Sequence, residues 1–346
     1  MANSGARHAP YLLMDDQALP RTKTRNLVGA GLALVIMLVL VLRLAGGWQQ
    51  IEPQLANFRI GPIIAAVGLF VFGEAVIAVT WLLNLRSLGT VPRRMRGIAT
   101  VFVSNLGRLV PIPGAPLLAR VGLADHAGAP RDAASATVLM EGLLGTLAAF
   151  TLGMAALFDN SVASVVPGGR WWFLVWMAFA LLVVLGLANR VFDGVLKRLG
   201  KGPLPQMTAL NALGAFVLYL IAWLAFGLAL SAILSGLSLD SPGWLTTAGM
   251  FSLSWFVGFV VVIVPGGLGI REGVLAAMLA PTVGTEAAIL VTLVSRLLWW
   301  LTVALLAAAG ASVLGRSILR PRREQLPAEQ SIQVPIDNGN PLERGE

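Results

Sequence analysis

The sequence has no cysteine and only two histidines, His8 and His126. The first absence excludes disulfides and thiolate metal sites, and the second excludes a histidine-rich metal centre. Charge is scarce too: 12% of the 346 residues are Asp, Glu, Lys or Arg, while 57% are hydrophobic and the mean hydropathy is +0.80. Soluble domains carry roughly twice that charged fraction. The chain therefore reads as a polytopic membrane protein. Between its apolar runs there is no stretch long enough for a soluble domain of about 100 residues. No nucleophile with its base, metal cluster or nucleotide loop is present. Gly266-Gly267-Leu268-Gly269 lacks both the glycine spacing and the strand context of a dinucleotide fingerprint. No cofactor is expected. The net charge of +8 does not indicate nucleic acid. The basic residues are scattered at helix ends, where they orient the chain and meet anionic lipid.

What the chain does have is apolar runs. Residues 1–26 form a polar tail with Arg21, Lys23 and Arg25 beside the first span, which places the N-terminus in the cytoplasm. Apolar segments follow at about 27–46, 60–83, 97–113, 133–158, 171–188, 209–237, 244–264 and 285–314. If all of them crossed the bilayer, the loop 189–208, with Arg190, Lys197, Arg198 and Lys201 against Asp193, would lie outside. That contradicts the positive-inside bias. The conflict disappears if 97–131 dips in from the cytoplasm and returns through a break at Pro111-Ile112-Pro113-Gly114. A cytoplasmic C-terminal tail, with Arg316, Arg320, Arg322 and Arg323, then makes 245–284 a second re-entrant hairpin, opening from outside.

The expected fold is thus all-α and polytopic: about six full spans plus two broken re-entrant hairpins, eight apolar helical segments arranged as an inverted repeat. The transmembrane domain covers 27–314, with repeats at about 27–158 and 171–314, and a cytoplasmic, disordered tail follows at 315–346. A local pattern supports the pairing. Asp132-Ala133-Ala134 leads nine residues on to Glu141-Gly142, and Glu286-Ala287-Ala288 leads nine on to Ser295-Arg296. Against it, the run 244–264 is 21 residues long, enough to span unaided.

The chain's chemistry is organised around Val264 to Leu275, V-P-G-G-L-G-I-R-E-G-V-L. A broken backbone in lipid leaves amides and carbonyls unpaired at several kcal/mol each unless protein or a wet cavity satisfies them. The break is either a tight turn between spans or a half-helix whose N-terminus faces an ion or head group. In the second case Pro265, Gly266, Gly267 and Gly269 shape the helix start, as Gly114 does at the first break. Arg120 and Arg271 follow these starts, so a phosphate is the natural guest. The alternative is that they only pair with nearby carboxylates such as Glu272. Glu74, Arg108, Glu141 and Arg296 are further charges inside apolar runs, where ionisable residues face a cavity or one another. The repeat puts Glu141 and Arg296 at neighbouring positions, so an ion pair between them is expected, either as a lock between halves or with a substrate or proton role. Glu74 is a further candidate proton carrier. Trp299 and Trp300 share a helical face with Arg296, and either stack on its guanidinium or belong to the interfacial belt, the commoner place for such residues.

Val264-Pro265-Gly266-Gly267-Leu268-Gly269-Ile270-Arg271-Glu272-Gly273-Val274 resembles the signature of the flippase-like family typified by the transmembrane region of lysylphosphatidylglycerol synthase. The stretch from Asn105 through Pro113-Gly114, Arg120, Gly128 and Ala134 to Glu141 is similar to that family's first motif. The resemblance covers roughly 27–314. It implies a multi-pass inner-membrane protein; in the bifunctional synthases this region moves aminoacylated phosphatidylglycerol between leaflets while a separate soluble domain makes it. Two departures stand out. The first motif reads Pro-Ile-Pro-Gly-Ala in place of a Pro-Gly-Gly run, and Gly142 follows Glu141 where the family has an arginine. With no soluble synthase domain before Glu346, the chain is not expected to synthesise lipid itself. The expected function is movement of an anionic or aminoacylated phospholipid, or a polyprenyl-linked head group, downhill or coupled to protons through Glu74 or Glu141. The alternatives are a membrane-embedded enzyme using Glu141 or Glu272 as acid or base, and a non-transporting partner of a separate lipid synthase.

Because native cysteine is absent, the inverted arrangement is directly testable. His126→Cys and Thr282→Cys, introduced singly, should react with an impermeant maleimide from opposite sides of the membrane. Labelling of both from one side rules the inversion out.

Overall fold

The computed structural model describes residues 56–109, 114–154, 169–184, 207–260 and 269–315, with isolated helical positions between 35 and 52. The elements are helical: α1 (Ile60–Ser87), α2 (Arg94–Ser104) running into a 3₁₀ turn (Asn105–Leu109), α3 (Ala115–Gly122), α4 (Ala124–Ala127), α5 (Arg131–Gly153), α6 (Gly169–Leu182), α7 (Ala209–Gly236), α8 (Trp244–Val260), α9 (Ile270–Val283) and α10 (Thr285–Leu314). Four of them, α1, α5, α7 and α10, are long and apolar enough to cross a membrane. At about 1.5 Å per residue, the 28 residues of α1 exceed a hydrocarbon core of about 30 Å. The apolar run expected at 60–83 is longer in the structure because Asn84, Leu85 and Arg86 continue the helix, with Asn84 buried against α7.

Both expected breaks coincide with interrupted helices. The 3₁₀ turn after α2 lies against the start of α3, and α8 lies against α9. At the first break the chain returns so closely that a Cβ on Gly107 would sit 2.6 Å from the backbone nitrogen of Pro116. Only glycine fits there. Gly114 at the start of α3 and Gly269 at the start of α9 both have positive φ, 73° and 82°, a conformation other residues adopt only with strain.

Helices without a hydrophobic drive between them associate through close backbone approach at small residues. Antiparallel α1 and α7 show this best, with Ile63 at Gly236, Gly73 under Phe226, and Asn84 donating to Tyr219 Oη at 3.5 Å. Between α7 and α8, a Cβ on Gly227 would lie 2.2 Å from Ala248 Cα. The two broken segments pack crosswise. Gly310 brings α10 onto Ala99 of α2, and Gly153 brings α5 onto Leu253 of α8. A knot of rings fills the centre: Phe70, Phe226 and Phe251 lie 6.4, 5.6 and 6.2 Å from Trp299, centroid to centroid. Outward, Leu297, Leu301 and Leu305 form an exposed stripe on α10 at four-residue spacing, the lipid-facing side of that helix.

Gly227→Ala should therefore lower stability by about 1–3 kcal/mol through overpacking, read as a lower melting temperature in detergent. Gly214→Ala on the same helix, where the added methyl meets nothing within 4 Å, should not lower it.

Candidate functional site

The site is built outward from Glu74 on α1, whose carboxylate is completely buried. Asn105 Nδ2 and Trp299 Nε1 each donate to it at 2.8 Å, and Arg108 completes an ion pair with it. Asn105 and Arg108 stand three residues apart on the 3₁₀ turn, so one turn of backbone presents both to α1, while Trp299 comes from α10. A buried carboxylate is stable only with such donors, since desolvation costs several kcal/mol that the partners must offset.

Asn105 also extends the network. Its Oδ1 accepts from Arg120 Nη2 at 2.8 Å, while Arg120 Nε donates to Ser104 Oγ at 3.1 Å and Nη1 pairs with Glu141 of α5. The first hairpin is thereby tied to α1 and α5 by one continuous chain of polar contacts. The ion pair expected between Glu141 and Arg296 does not form. The Gly107 approach folds α3 back so that Arg120 reaches Glu141 first, and Arg296 turns to Glu272 at 3.3 Å.

Trp299 is the meeting point of the two breaks. Its ring lies 4.3 Å from the guanidinium carbon of Arg271, 5.3 Å from that of Arg108 and 5.9 Å from that of Arg296. Arg271 rests on Phe251 as well, at 4.7 Å, and Arg296 on Trp300 at 4.9 Å. Trp299 is buried, so it does not belong to an interfacial belt; the guanidiniums hold it inside. Arg271 and Glu272 do not pair with each other. The Glu272 carboxylate folds back to accept the Gly269 amide at 2.6 Å, capping α9, and its other oxygen faces Arg296. That pair lacks hydrogen-bond alignment: Glu272 Oε1 and Arg296 Nε are both buried and unbonded. Arg271 is left distinct. It is 6% exposed, and among the described residues it has no carboxylate at ion-pair distance and no hydrogen-bond acceptor; its close contacts are rings, and Glu272 acts on it only through space.

The structure thus brings Glu74, Arg108, Arg271, Glu272 and Arg296 into one cluster around Trp299, with Arg120 and Glu141 joined through Asn105. Gly114 and Gly269 start the returning helices, whereas Pro265, Gly266 and Gly267 lie outside the described residues. Arg120 is fully buried and held by three protein partners, so a ligand does not reach it. Reasoning from sequence missed the bridging role of Asn105, which a polar residue one helical turn before Arg108 in an apolar run does signal. It also missed Phe251, for which an unbroken apolar stretch carries no signal. Among the described residues no group of three His, Asp or Glu is placed to hold a metal ion.

Asn105→Ala strips one donor from Glu74 and one acceptor from Arg120, and should cost about 1–3 kcal/mol of stability. Paired with Glu141→Gln in a double-mutant cycle, it should show coupling of about 0.5–3 kcal/mol. Additive melting shifts would mean that the two carboxylates are energetically separate.

The sequence matches, over residues 28–307, the family model described as the lysylphosphatidylglycerol synthase TM region. No curated protein matches the chain. The match covers most of the chain and includes both breaks and every charge of the cluster. This multi-pass membrane protein therefore belongs to the lysylphosphatidylglycerol synthase transmembrane-region family.

Proposed function

We propose that the protein is a flippase-like lipid transporter that moves an anionic or aminoacylated phospholipid, or a lipid-linked head group, across the cytoplasmic membrane. The observation that carries this reading is Arg271: a cation buried among rings at the start of α9, beside a broken helix, with no carboxylate at ion-pair distance among the described residues. A buried guanidinium in an apolar bundle is costly without an anion. A phosphate arriving from the bilayer supplies one. Arg296, only loosely paired with Glu272, is the second head-group contact. Lipid tails remain outside, against stripes such as Leu297, Leu301 and Leu305.

In this reading the six spans and two re-entrant hairpins form an inverted repeat, with both termini in the cytoplasm. The antiparallel pairing of α1 with α7, which occupy equivalent places in the two halves, supports it, as does the crosswise packing of α2 on α10 and α8 on α5. The Arg120–Glu141 pair holds the first hairpin shut. Movement is downhill or proton-coupled; of the two carboxylates considered for coupling, Glu141 keeps 13% side-chain exposure while Glu74 has none. The protein is then a carrier and not an enzyme, and a separate lipid synthase supplies any aminoacylated substrate.

The test is translocation in liposomes with labelled phosphatidylglycerol, its aminoacyl form and a polyprenyl phosphate. The parent should move one of these, and Arg271→Ala should reduce the rate about tenfold or more. Well-folded parent protein that moves none of them under an imposed proton gradient would favour the enzyme or partner-subunit alternatives.

A further inference from the structure

Among the described residues the cluster around Trp299 holds three guanidiniums, Arg108, Arg271 and Arg296, and two carboxylates: Glu74, paired with Arg108, and Glu272, paired with Arg296. Arg120 and Glu141 beside it cancel. The two breaks flanking the cluster cannot change the count, because Val110-Pro111-Ile112-Pro113 and Val261-Val262-Ile263-Val264-Pro265-Gly266-Gly267-Leu268 contain no ionisable side chain. Among the described residues one positive charge therefore remains, and Arg271 is the guanidinium of the three without an ion pair.

We infer that this site selects a lipid phosphodiester, a single negative charge, over the dianion of a lipid phosphomonoester. The inference rests on the head-group reading proposed above and narrows its substrate class. The physical reason is neutrality in a medium that tolerates little else. One negative charge brings the cluster to zero, whereas two leave a buried surplus facing Glu74 and Glu272, which repel it. Geometry points the same way. Trp299 and Phe251 cover part of the Arg271 guanidinium, and its remaining N–H donors match the two non-bridging oxygens of a phosphodiester. Lysine at this position would keep the charge but lose both the fork and the stacking.

The test compares dioctanoyl phosphatidylmethanol with dioctanoyl phosphatidic acid, identical but for the methyl that makes the first a diester. Binding to the full-length protein in a non-ionic detergent is measured by calorimetry at about pH 8.5, where the monoester is a dianion. The parent should bind the diester about tenfold more tightly or better. Glu272→Gln keeps an oxygen for the Gly269 amide but removes one negative charge, and should reverse the order. If that variant does not purify as a single species, Glu74→Gln makes the same charge change from α1 and should also reverse it. Equal or tighter binding of phosphatidic acid to the parent, with both lipids lost in Arg271→Gln, would overturn the charge selection while leaving the head-group site standing. An unreversed order in a folded Gln variant overturns it as well. Failure of the parent to bind either lipid would remove the head-group reading itself, and the selection with it.

Discussion

A single indole organises the polar interior of this protein. Through its N–H, Trp299 holds the Glu74 carboxylate, and through its ring it supports three guanidiniums drawn from the first break, the second break and its own helix. Tryptophan suits this place because one side chain combines a hydrogen-bond donor with a face that attracts cations. Below the ring, Phe70, Phe226 and Phe251 close the apolar core. The boundary between charge and hydrocarbon therefore runs through one residue.

The rest of the fold follows from the need to keep those charges satisfied. Glu74 needs donors, so the 3₁₀ turn must bring Asn105 and Arg108 against α1. Asn105 has an oxygen left over, and that oxygen positions Arg120. Arg120 then fixes α3 relative to α5 through Glu141. Close glycine contacts at Gly107, Gly227 and Gly310 let these helices approach without side chains intervening. On the second side, Glu272 is committed to capping α9 and facing Arg296, so that among the described residues its neighbour Arg271 has no carboxylate at ion-pair distance. One half of the cluster is tied up by hydrogen bonds and ion pairs within the protein, while in the other half Arg271 meets only rings at close range.

Much of this was legible beforehand. Sparse charge, long apolar runs and Pro-Gly interruptions are local properties, and they pointed to an all-helical membrane protein with two breaks and to the ionisable residues within it. The family signature at Val264–Val274 was readable for the same reason. Pairing was harder. Glu141 and Arg296 looked like partners because they occupy similar places in the two halves, yet each met a different ion first. Trp299 looked like a belt residue because most such tryptophans are. Nothing in its immediate sequence says that Phe251 and the first hairpin will enclose it.

Composition, periodicity and the two Pro-Gly breaks determined by themselves that this is a membrane-embedded bundle of helices with interrupted segments and buried charge, since apolar runs of about 20 residues satisfy their backbone in hydrocarbon as helices and ionisable residues there have few other uses. Only the tertiary structure decided which carboxylate neutralises which arginine. Ion pairing depends on distances of a few ångströms between helices remote in sequence, and those distances are set by how closely glycines let the helices pack. That is why Arg271 emerges as the guanidinium of the cluster without an ion pair only once the chain is folded.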